Sequence, residues 1–322
     1  MKTILVAGAG GAIGGHLVKR LYDRGDYVIA VDKKPLDEWW RLHGVSSPVS
    51  NFVSDLSTPE ACARAVRGVD EVYMLAADMG GMGFIETHKA ECMLSVLIST
   101  NMLVAARDAG VSRFFFSSSA CVYPDYLQDT TNAPALAEYM AYPAAPEDGY
   151  GWEKLFTERM CRHFNEDFGL ETRVGRYHNV YGPFGSWTGG REKAPAAICR
   201  KVIEAGPGGS IEIWGDGEQT RSFMYVEDCV TGTTMLMDSD YSEPLNIGSS
   251  ELVTINKLVD IVEQIAGFKV IRKYDLSKPQ GVRGRNSDNT EILSVFDWEP
   301  STSLEDGLTK TYRWIYNQIK IS

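Results

Sequence analysis

A glycine-rich turn near the N-terminus constrains the fold of this chain more than any other feature of its sequence. Residues 3–8 read TILVAG, an apolar run too short for a helix, and a glycine-rich turn with the spacing Gly8, Gly11 and Gly14 begins at its end. The next stretch, HLVKRLYDRG, has helical periodicity and ends at Gly25. A strand, a glycine turn and a helix in this order are the fingerprint of a dinucleotide site. We expect a dinucleotide to bind the residues of this turn, Gly8, Gly11, Ala12, Ile13 and Gly14.

The second strand indicates which dinucleotide binds. Residues 27–32 read YVIAVD and end at Asp32, where an acidic side chain accepts hydrogen bonds from both ribose hydroxyls. Such a carboxylate repels a 2′-phosphate, so NAD is favoured over NADP. Lys33 and Lys34 follow directly and are able to bind a phosphate instead. The next strand pattern, NFVSD, ends at Asp55, which we expect to lie near the adenine.

Strand and helix patterns alternate through the first half of the chain. VDEVYMLAA is a strand that ends at Ala77, a long helix is predicted roughly from Phe84 to Gly110, and a further strand runs through Phe116. This alternation predicts an α/β fold with a Rossmann-like parallel sheet and helices on both of its faces. Because ligands bind beyond the carboxyl ends of such strands, Ala77 is a further candidate contact for NAD.

Composition and charge exclude several classes of protein. Hydrophobic residues make up 44% of the 322 residues, and the net charge of −11 disfavours binding to nucleic acid. The six cysteines are scattered, without a C-x-x-C pair or a histidine cluster, so neither a metal site nor a secreted disulfide framework is expected. We find no signal peptide and no apolar run long enough to span a bilayer, and we expect a cytoplasmic protein that contacts no membrane.

The stretch YGWEK carries the candidate chemistry. Tyr150 and Lys154 are four positions apart, so they lie on one face of a helix. A free phenol has a pKa of about 10, and a neighbouring ammonium group lowers that pKa. The tyrosine is then able to take a proton from an alcohol while the adjacent carbon gives up hydride. Ser119, at the end of the preceding strand pattern, completes a Ser/Tyr/Lys constellation.

The glycine fingerprint, Asp32, LAA, SSSA and YGWEK stand in the order typical of the extended short-chain dehydrogenase/reductases, and the chain resembles that family over its whole length. The resemblance implies that Ser119 holds the reacting hydroxyl, that Tyr150 is the acid/base, and that Lys154 lowers its pKa and binds the nicotinamide ribose. It also implies a homodimer and a smaller C-terminal α/β domain that binds a nucleotide sugar. We place the NAD-binding domain at 1–175, with parts of 205–250 returning to it, and the nucleotide-sugar domain mainly at 176–322.

Further segments, among them AADMGGMGFI, YHNVYGPFG, GGREKAPAA and GVRGRNSDN, resemble the GDP-mannose 3,5-epimerases within this family. The resemblance implies a redox-neutral conversion of GDP-D-mannose to GDP-L-galactose with bound NAD. Oxidation of C4 to a ketone acidifies the hydrogens on C3 and C5, and each inversion then needs acid/base groups on opposite ring faces. Cys121 and Lys193 suit these roles, and by resemblance they are the base and the acid. The free thiol pKa of about 8.5 is within reach of neutral pH.

The resemblance also implies a set of residues that bind the nucleotide sugar. A diphosphate on an acidic chain needs local basic partners, and the fork of donors on arginine matches phosphate oxygens. We expect Arg285, in contrast, to be an ordinary surface charge that pairs with Asp288. The implied substrate-binding residues are Gly81, Ser119, Ala120, Cys121, Asn179, Glu192, Lys193, Ala194, Lys201, Gln219, Thr220, Arg221 and Arg283.

Alternatives on the same fold stay open. An epimerase acting on a related GDP-sugar, or on another nucleotide-activated sugar, would need only one or two changes in the pocket. A 4,6-dehydratase would place an acidic group where Ala120 and Cys121 stand, and a simple 4-epimerase needs no Cys/Lys pair. A redox-sensing binding protein often loses the Tyr/Lys pair, whereas Tyr150 and Lys154 are both present.

Overall fold

The computed structural model describes residues 1–39 and 49–321 as strands and helices that alternate along most of the chain. The strands are β1 (Thr3–Ala7), β2 (Tyr27–Asp32), β3 (Val49–Val53), β4 (Glu71–Met74), β5 (Arg113–Ser119), β6 (Ala135–Leu136), β7 (Glu171–Tyr177), β8 (Val180–Tyr181), β9 (Ser210–Trp214), β10 (Thr220–Ser222), β11 (Met224–Tyr225), β12 (Leu245–Ile247), β13 (Leu252–Thr254), β14 (Ile271–Asp275) and β15 (Gly284–Ser287). The helices are α1 (Ala12–Asp23), α2 (Pro59–Ala65), α3 (Met82–Thr87), α4 (Lys89–Ala109), α5 (Asp148–Phe168), α6 (Ala194–Ala205), α7 (Val226–Asp238), α8 (Ile255–Ala266), α9 (Thr290–Phe296) and α10 (Leu304–Ile321).

The main sheet has seven strands in the described residues, in the order β12-β7-β5-β4-β1-β2-β3, and every neighbouring pair is parallel. β1 lies inside it, and its apolar residues from Ile4 to Ala7 are fully buried. Ile4 and Val6 point into one core cluster, whereas Leu5 and Ala7 point into a second cluster on the other face. A strand buried on both faces has a continuous apolar sequence, which explains the run ILVA.

Helices cover both faces of this sheet. Leu17 and Leu21 of α1 pack on one face together with Met237 of α7. Leu103 of α4 and Cys62 of α2 pack on the other face. The predicted α/β fold, with a Rossmann-like parallel sheet between two layers of helices, is confirmed.

A second group of elements comes mostly from the carboxyl-terminal part of the chain. Strands β13, β10, β15 and β6 form a small sheet, β9 pairs with β14, and helices α6, α8 and α10 pack on one another. Two elements within residues 205–250 lie with the main sheet instead. The strand β12 is part of that sheet, and the helix α7 packs on it. The domain limits at residues 175 and 176 stay a prediction.

The helix predicted from Phe84 to Gly110 is divided into α3 and α4. The break falls at His88, which has φ −126° and ψ 43° and stacks its ring on Phe84 at a centroid distance of 4.3 Å. By length and composition alone, α4 is apolar enough to cross a membrane, so the expectation that no apolar run is long enough is wrong. A core helix of a globular domain passes the same test, and α4 packs along α5.

Candidate functional site

The glycine turn between β1 and α1 packs closely against the elements around it, so side chains at its glycines would clash. Gly8 has φ +90°, and a Cβ there would lie 2.8 Å from the Ala76 nitrogen. A Cβ on Gly14 would overlap the Gly8 carbonyl oxygen, so close packing of helix on turn requires glycine. α1 begins with Ala12 and Ile13, and the preceding Gly11 offers no side-chain cap to its amide groups. This cradle at a helix N-terminus fits the pyrophosphate of NAD.

Asp32 stands at the carboxyl end of β2, beside that cradle. Its two carboxylate oxygens accept hydrogen bonds from the Gly10 nitrogen and the Lys34 nitrogen, both at 3.0 Å. These bonds hold the carboxylate at the rim of the turn, where the ribose hydroxyls of NAD are expected. Lys33 turns away from this position and forms an ion pair with Asp78 at 3.1 Å. The alternative in which Lys33 binds a 2′-phosphate would have to break this pair.

The other predicted NAD contacts lie along the same edge of the sheet. Ala77 follows β4, two residues after Leu75, whose nitrogen donates to the Ala7 oxygen at 2.9 Å. Asp55 follows β3 and accepts a hydrogen bond from the Ser57 nitrogen at 2.9 Å, which lowers the pKa of its carboxyl group. Their roles toward adenine and nicotinamide stay predictions.

The Ser/Tyr/Lys constellation is assembled where β5 ends and α5 begins. Ser119 Oγ accepts a hydrogen bond from the Cys121 nitrogen at 3.2 Å, and Ser119 is near enough to Tyr150 to act on the pKa of its phenol. Lys154 is almost fully buried, with its Nζ 5.6 Å from the centroid of the Tyr150 ring and 4.7 Å from that of Phe116. The three predicted residues therefore lie together at the carboxyl edge of the main sheet.

The predicted role of Lys154, to lower the pKa of Tyr150, works against a strong effect of burial and stays a prediction. Burial raises the pKa of Tyr150 well above its usual value, and the charges of Cys121 and Glu153 add to the effect. Ser119 acts in the opposite direction, but its effect is too small to reverse this shift. Without a further positive charge beside it, Tyr150 stays a neutral phenol.

Cys121 lies on the turn that follows β5, and its side chain is buried. Burial and the nearby carboxylate of Glu147 raise the pKa of the Cys121 thiol to about 12. The expectation of a thiol pKa within easy reach of neutral pH is therefore wrong. Sequence reasoning used the free thiol as its reference, whereas a buried thiol loses the water that would solvate its thiolate.

Arg285 is not a surface charge paired with Asp288, and that expectation is wrong. It is buried at 4% exposure, and its Nη2 donates to Glu147 Oε2 at 2.6 Å. Its Nε donates to Gln128 Oε1 at 2.6 Å, and its Nη1 lies 3.5 Å from Cys121 Sγ. The strand β15 carries Arg285 inward, into direct contact with the candidate base.

Lys193 precedes the first residue of α6, Ala194, and is partly buried. Burial lowers its pKa, while the Cys121 charge acts to raise it and the Arg285 charge to lower it. The Lys193 amine is thus near enough to Cys121 and Arg285 for their charges to act on it. Within residues 1–39 and 49–321, no carboxylate forms an ion pair with Lys193.

Two loops meet at Lys193 and join the two halves of the molecule. The Gly81 nitrogen donates to the Arg191 oxygen at 3.0 Å, and Arg191 Nη1 donates to Asp78 Oδ1 at 2.7 Å. A Cβ on Gly81 would overlap the carbonyl oxygen of Glu192. The Glu192 carboxylate in turn pairs with Arg200 at 3.2 Å. The predicted sugar-binding residues Gly81, Glu192 and Lys193 are thus brought together.

The small sheet supplies the next group of predicted substrate residues. Arg221 donates to the Thr220 oxygen at 2.7 Å and to the Val282 oxygen at 2.5 Å, and burial lowers its pKa to about 10. No described carboxylate lies within 4 Å of its guanidinium, so its charge is free to meet an anion. Gln219 has a buried Oε1 without a hydrogen-bond partner, and Thr220 Oγ1 donates to the Thr131 oxygen.

The remaining predicted residues already have partners inside the protein. Asn179 has φ +38° and donates to the Ser222 oxygen at 2.9 Å. Lys201 Nζ donates to the Glu212 oxygen at 2.7 Å, and Arg283 makes two hydrogen bonds to Asp216 at 2.7 and 2.8 Å. Substrate contacts from Lys201 and Arg283 stay predictions.

Sequence reasoning missed Glu147 entirely. It directly precedes α5, where an acidic residue is favoured by the positive end of the helix dipole, but its side chain does not cap the helix. Instead it turns toward Arg285 and Cys121. The acidic residue just before YGWEK was the available signal, and the distant arginine that binds it cannot be located from sequence.

A dinucleotide cradle, a Ser/Tyr/Lys group and a separate thiol/amine pair at one sheet edge define an enzyme that oxidises a bound alcohol and moves protons on neighbouring carbons. The chain belongs to the NAD dependent epimerase/dehydratase family, whose sequence model matches residues 4–248. The predictions of family and of NAD as the cofactor are confirmed.

The similarity extends to particular relatives. The chain is 48% identical to GDP-mannose 3,5-epimerase 1 of Oryza sativa subsp. japonica, over 98% of this chain and 82% of the relative. It is 47% identical to GDP-mannose 3,5-epimerase of Arabidopsis thaliana, over 98% and 83%. Among solved structures, UDP-glucose 4-epimerase of Thermotoga maritima with UDP-glucose superposes with a TM-score of 0.85 at 26% identity, over 98% and 99% of the two chains.

Proposed function

We propose that this protein is a GDP-mannose 3,5-epimerase, which converts GDP-D-mannose to GDP-L-galactose through transient oxidation at C4 and inversion at C3 and C5. The observation that carries the proposal is the thiol/amine pair, Cys121 and Lys193, beside Ser119 and Tyr150. An enzyme that inverts only C4 needs the Ser/Tyr/Lys group but no second pair. The 48% identity to the rice enzyme of this name supports the same substrate.

Ser119 and Tyr150 act on the C4 hydroxyl of the sugar in this proposal. Ser119 orients the hydroxyl, and the Tyr150 phenol exchanges a proton with its oxygen. NAD, held by the glycine turn and Asp32, would supply the acceptor for the C4 hydride and the donor for its return, and its positive ring would favour the phenolate of Tyr150. Lys154, buried beneath the Tyr150 ring, adds a second positive charge at that position.

Cys121 and Lys193 invert the carbons on either side of C4. Burial favours the uncharged form of both groups, because it raises the thiol pKa and lowers the amine pKa. Transfer of a proton from the thiol to the amine makes a thiolate base and an ammonium acid, which stabilise each other across the bound sugar. The thiolate removes a proton from one face of the ring, and the ammonium delivers one to the other face.

A local excess of positive charge supports a diphosphate substrate on this acidic chain. Arg221, Arg285 and Lys193 supply the positive charge, and the Glu147 carboxylate acts on Arg221 and Arg285. Arg221 in particular is partly buried and has no ion-pair partner among the described residues, which favours a bound anion. We assign it to the diphosphate of the nucleotide sugar.

We further propose a cytoplasmic homodimer that pairs α4 and α5 of two copies. Both helices expose apolar side chains, with Leu94 at 58% and Phe156 at 51% exposure. A patch of this kind on a globular protein marks a contact surface. It also accounts for the apolar character of α4 without a membrane. The exposed apolar side chains are Met93, Leu94, Leu97, Trp152 and Phe156.

Product identification tests the proposed function. The purified protein is incubated with GDP-D-mannose and, separately, with UDP-glucose, and each sugar is followed by NMR. We expect GDP-L-galactose from the first mixture and no change in the second. Formation of UDP-galactose with GDP-D-mannose untouched would contradict the proposal, and so would conversion only of another GDP-sugar.

A further inference from the structure

The proposed reaction, on which this inference rests, contains a competition between two steps on the same bound sugar. Once C4 is a ketone, the sugar either is inverted at a neighbouring carbon or receives its hydride back. Hydride that returns too early gives a sugar inverted at one carbon or at none. Inversion depends on Lys193, whereas the return of hydride depends on the Ser/Tyr/Lys group. The placement of Lys193 therefore decides which product forms.

Lys193 ends a short segment that begins with two exposed glycines. Gly189 and Gly190 have φ +87° and +83°, and a Cβ on either would meet no described atom within 4 Å. Glycines in this left-handed region are conformationally permissive, so they make a flexible start to the segment. α6 begins directly after Lys193. We call residues 189–193 the lysine loop, and contacts with other parts of the chain must hold it in place.

Arg191 joins the lysine loop to the turn before α3 and to the start of that helix. Its Nη1 donates to Asp78 Oδ1 at 2.7 Å and to the Met79 oxygen at 3.1 Å. Its guanidinium carbon lies 3.8 Å from the centroid of the Phe84 ring, within the range of a cation–π interaction. The Arg191 oxygen accepts a hydrogen bond from the Gly81 nitrogen at 3.0 Å. We call the side chains of Arg191, Asp78 and Phe84 the latch.

The surface beneath the guanidinium is part of the catalytic region. Phe84 belongs to the same buried cluster as Cys121 and Tyr150. The neighbouring turn reaches the lysine loop directly, since a Cβ on Gly81 would lie 3.7 Å from the Lys193 Cα. The lysine loop therefore lies against residues that pack around the thiol and the phenol. Holding the loop here fixes the main chain of the candidate acid.

Asp78 connects the latch to the cofactor side of the site. Its second oxygen, Oδ2, pairs with Lys33 at 3.1 Å, and Lys33 directly follows Asp32. Burial acts to raise the pKa of Asp78, but the hydrogen bonds and charges of Arg191 and Lys33 lower it overall. The side chains of Lys33 and Arg191 are 59% and 44% exposed, and ion pairs at such positions are weak. A weak latch suits a loop that must open to release product.

We propose that Arg191 is a positioning residue that acts through Lys193 and makes inversion faster than the return of hydride. Its ion pair with Asp78 and its stacking on Phe84 hold the lysine loop closed while the sugar is a ketone. The Lys193 amine then stays within reach of the ring carbons for both inversions. With the latch open, the Ser/Tyr/Lys group still completes the return of hydride, so the sugar leaves only partly inverted.

The test measures the ratio of doubly inverted to singly inverted sugar formed from GDP-D-mannose, by NMR at early times. For Arg191→Gln, which removes the charge, we expect this ratio to fall by about tenfold. That factor is the change in loop population expected from losing one exposed ion pair and one cation–π contact. Arg191→Lys keeps the charge but not the planar guanidinium, so it should restore part of the ratio.

A double variant shows whether Arg191 and Asp78 act as one unit. Asp78→Asn should lower the ratio by a similar factor, because it removes the partner of the same ion pair. Combining Asp78→Asn with Arg191→Gln should lower the ratio no further than Arg191→Gln alone, since residues of one latch are not additive. Additive losses would show that the two residues act separately and would overturn the latch.

Arg107→Gln is the matched control. Arg107, in the last turn of α4, likewise pairs with a carboxylate at 2.7 Å and lies over an aromatic ring, that of Phe168, at 4.7 Å. Its replacement removes the same kinds of contact outside the site and should leave the ratio unchanged. An equal fall in Arg107→Gln would overturn the proposal. So would a wild-type ratio in Arg191→Gln, or a loss of total product at an unchanged ratio.

Hydrogen exchange separates the latch from the proposed function. Mass spectrometry follows the Gly81 amide, which donates to the Arg191 oxygen, in the protein without substrate. We expect this amide to exchange about tenfold faster in Arg191→Gln than in the wild type. Equal exchange in the two proteins would overturn the latch. If the wild type forms no doubly inverted sugar from GDP-D-mannose, the proposed function fails, and exchange at Gly81 still decides whether Arg191 closes the loop.

Discussion

At the scale of single residues, burial favours the uncharged forms of two groups whose ionised forms carry opposite charges. Burial raises the pKa of Cys121 to about 12 and lowers the pKa of Lys193. A neutral pair avoids the cost of two buried charges until substrate fills the space between them. The active form of the pair then differs from the resting form by the transfer of one proton.

Replacing either member of the pair should stop inversion without stopping oxidation. In Cys121→Ala and Lys193→Ala, we expect exchange at C3 and C5 to fall by about 10²–10⁴, the contribution of a positioned acid/base group. Oxidation at C4 should persist, because Tyr150, Ser119 and Lys154 are unchanged. The measurement is deuterium content at each carbon together with the amount of 4-keto sugar. The control is Cys62→Ala, at a buried thiol in the core cluster that contains Leu5 and Ala7. A similar loss of exchange in Cys62→Ala would argue against the assignment.

His178 is a buried histidine that affects stability and not catalysis. Its Nε2 hydrogen-bonds Asn246 Oδ1 at 3.1 Å, and burial lowers its pKa to about 3, with the charges of Arg285 and Arg176 adding to the effect. In the unfolded chain its pKa is about 6.5. Below that pH the unfolded state binds a proton that the folded state does not, so stability falls as the pH falls.

The contribution of His178 should be visible in the pH dependence of unfolding. Between about pH 6.5 and about pH 5, it should remove about 1.4 kcal/mol of stability for each pH unit. In urea unfolding monitored by circular dichroism, we expect His178→Gln to reduce this slope by about 1.4 kcal/mol per pH unit, the equivalent of one bound proton. His163→Gln, at an exposed histidine, should leave the slope nearly unchanged. Equal slopes in the wild type and His178→Gln would show that His178 titrates normally.

Whether a residue could be singled out from the sequence depended on whether its role is set by neighbours in the same element. Tyr150, Lys154 and the glycines of the first turn were found because their role depends on spacing within one element. Arg285 and Glu147 are 138 residues apart, and each looks ordinary beside its own neighbours. Burial decides their roles, and burial of a charge follows from tertiary packing that no local pattern encodes.

At the scale of elements, the loop at Gly81 and the loop before α6 must touch for the site to exist. Their contact is a main-chain hydrogen bond from Gly81 to the Arg191 oxygen, and a side chain at Gly81 would meet the backbone of Glu192. Backbone gives way less readily than a flexible side chain. A methyl group at this point therefore displaces one loop from the other.

Gly81→Ala should accordingly impair catalysis more than folding. A displacement of about 1 Å between sugar-binding loops can cost about a hundredfold in rate, and we expect kcat/KM for GDP-D-mannose to fall by about that factor. The melting temperature and the amount of bound NAD should change little, because both loops lie outside the main sheet. Unchanged kinetics would show that the loops separate freely in solution.

Elements were predicted best where sequence periodicity and turn chemistry agree. The strands around the glycine turn fall where expected, since β1 is an apolar run that ends in glycine. The division of one predicted helix into α3 and α4 was missed, because no proline or glycine stands at the break. At the break, His88 stacks on Phe84 four positions earlier, a local side-chain contact that the sequence analysis did not use as a helix-end signal.

At the scale of the whole molecule, the exposed faces of α4 and α5 predict assembly. Leu94→Glu would bury a charge in the proposed interface, and we expect the dimer dissociation constant to rise at least about thirtyfold. Sedimentation at several concentrations measures this shift. Leu276→Glu, at a leucine in the C-terminal part of the chain that is 68% exposed, is the control. A wild-type protein that sediments as a monomer at all concentrations would contradict the dimer.

The central claim is that one site oxidises C4 and inverts both of its neighbours, and proton exchange tests it most directly. The wild-type protein is incubated with GDP-D-mannose in deuterated water, and the sugar is examined by NMR. We predict deuterium at C3 and at C5, with GDP-L-galactose formed and no net change in the redox state of NAD. Exchange at neither carbon, or product inverted only at C4, would contradict the account.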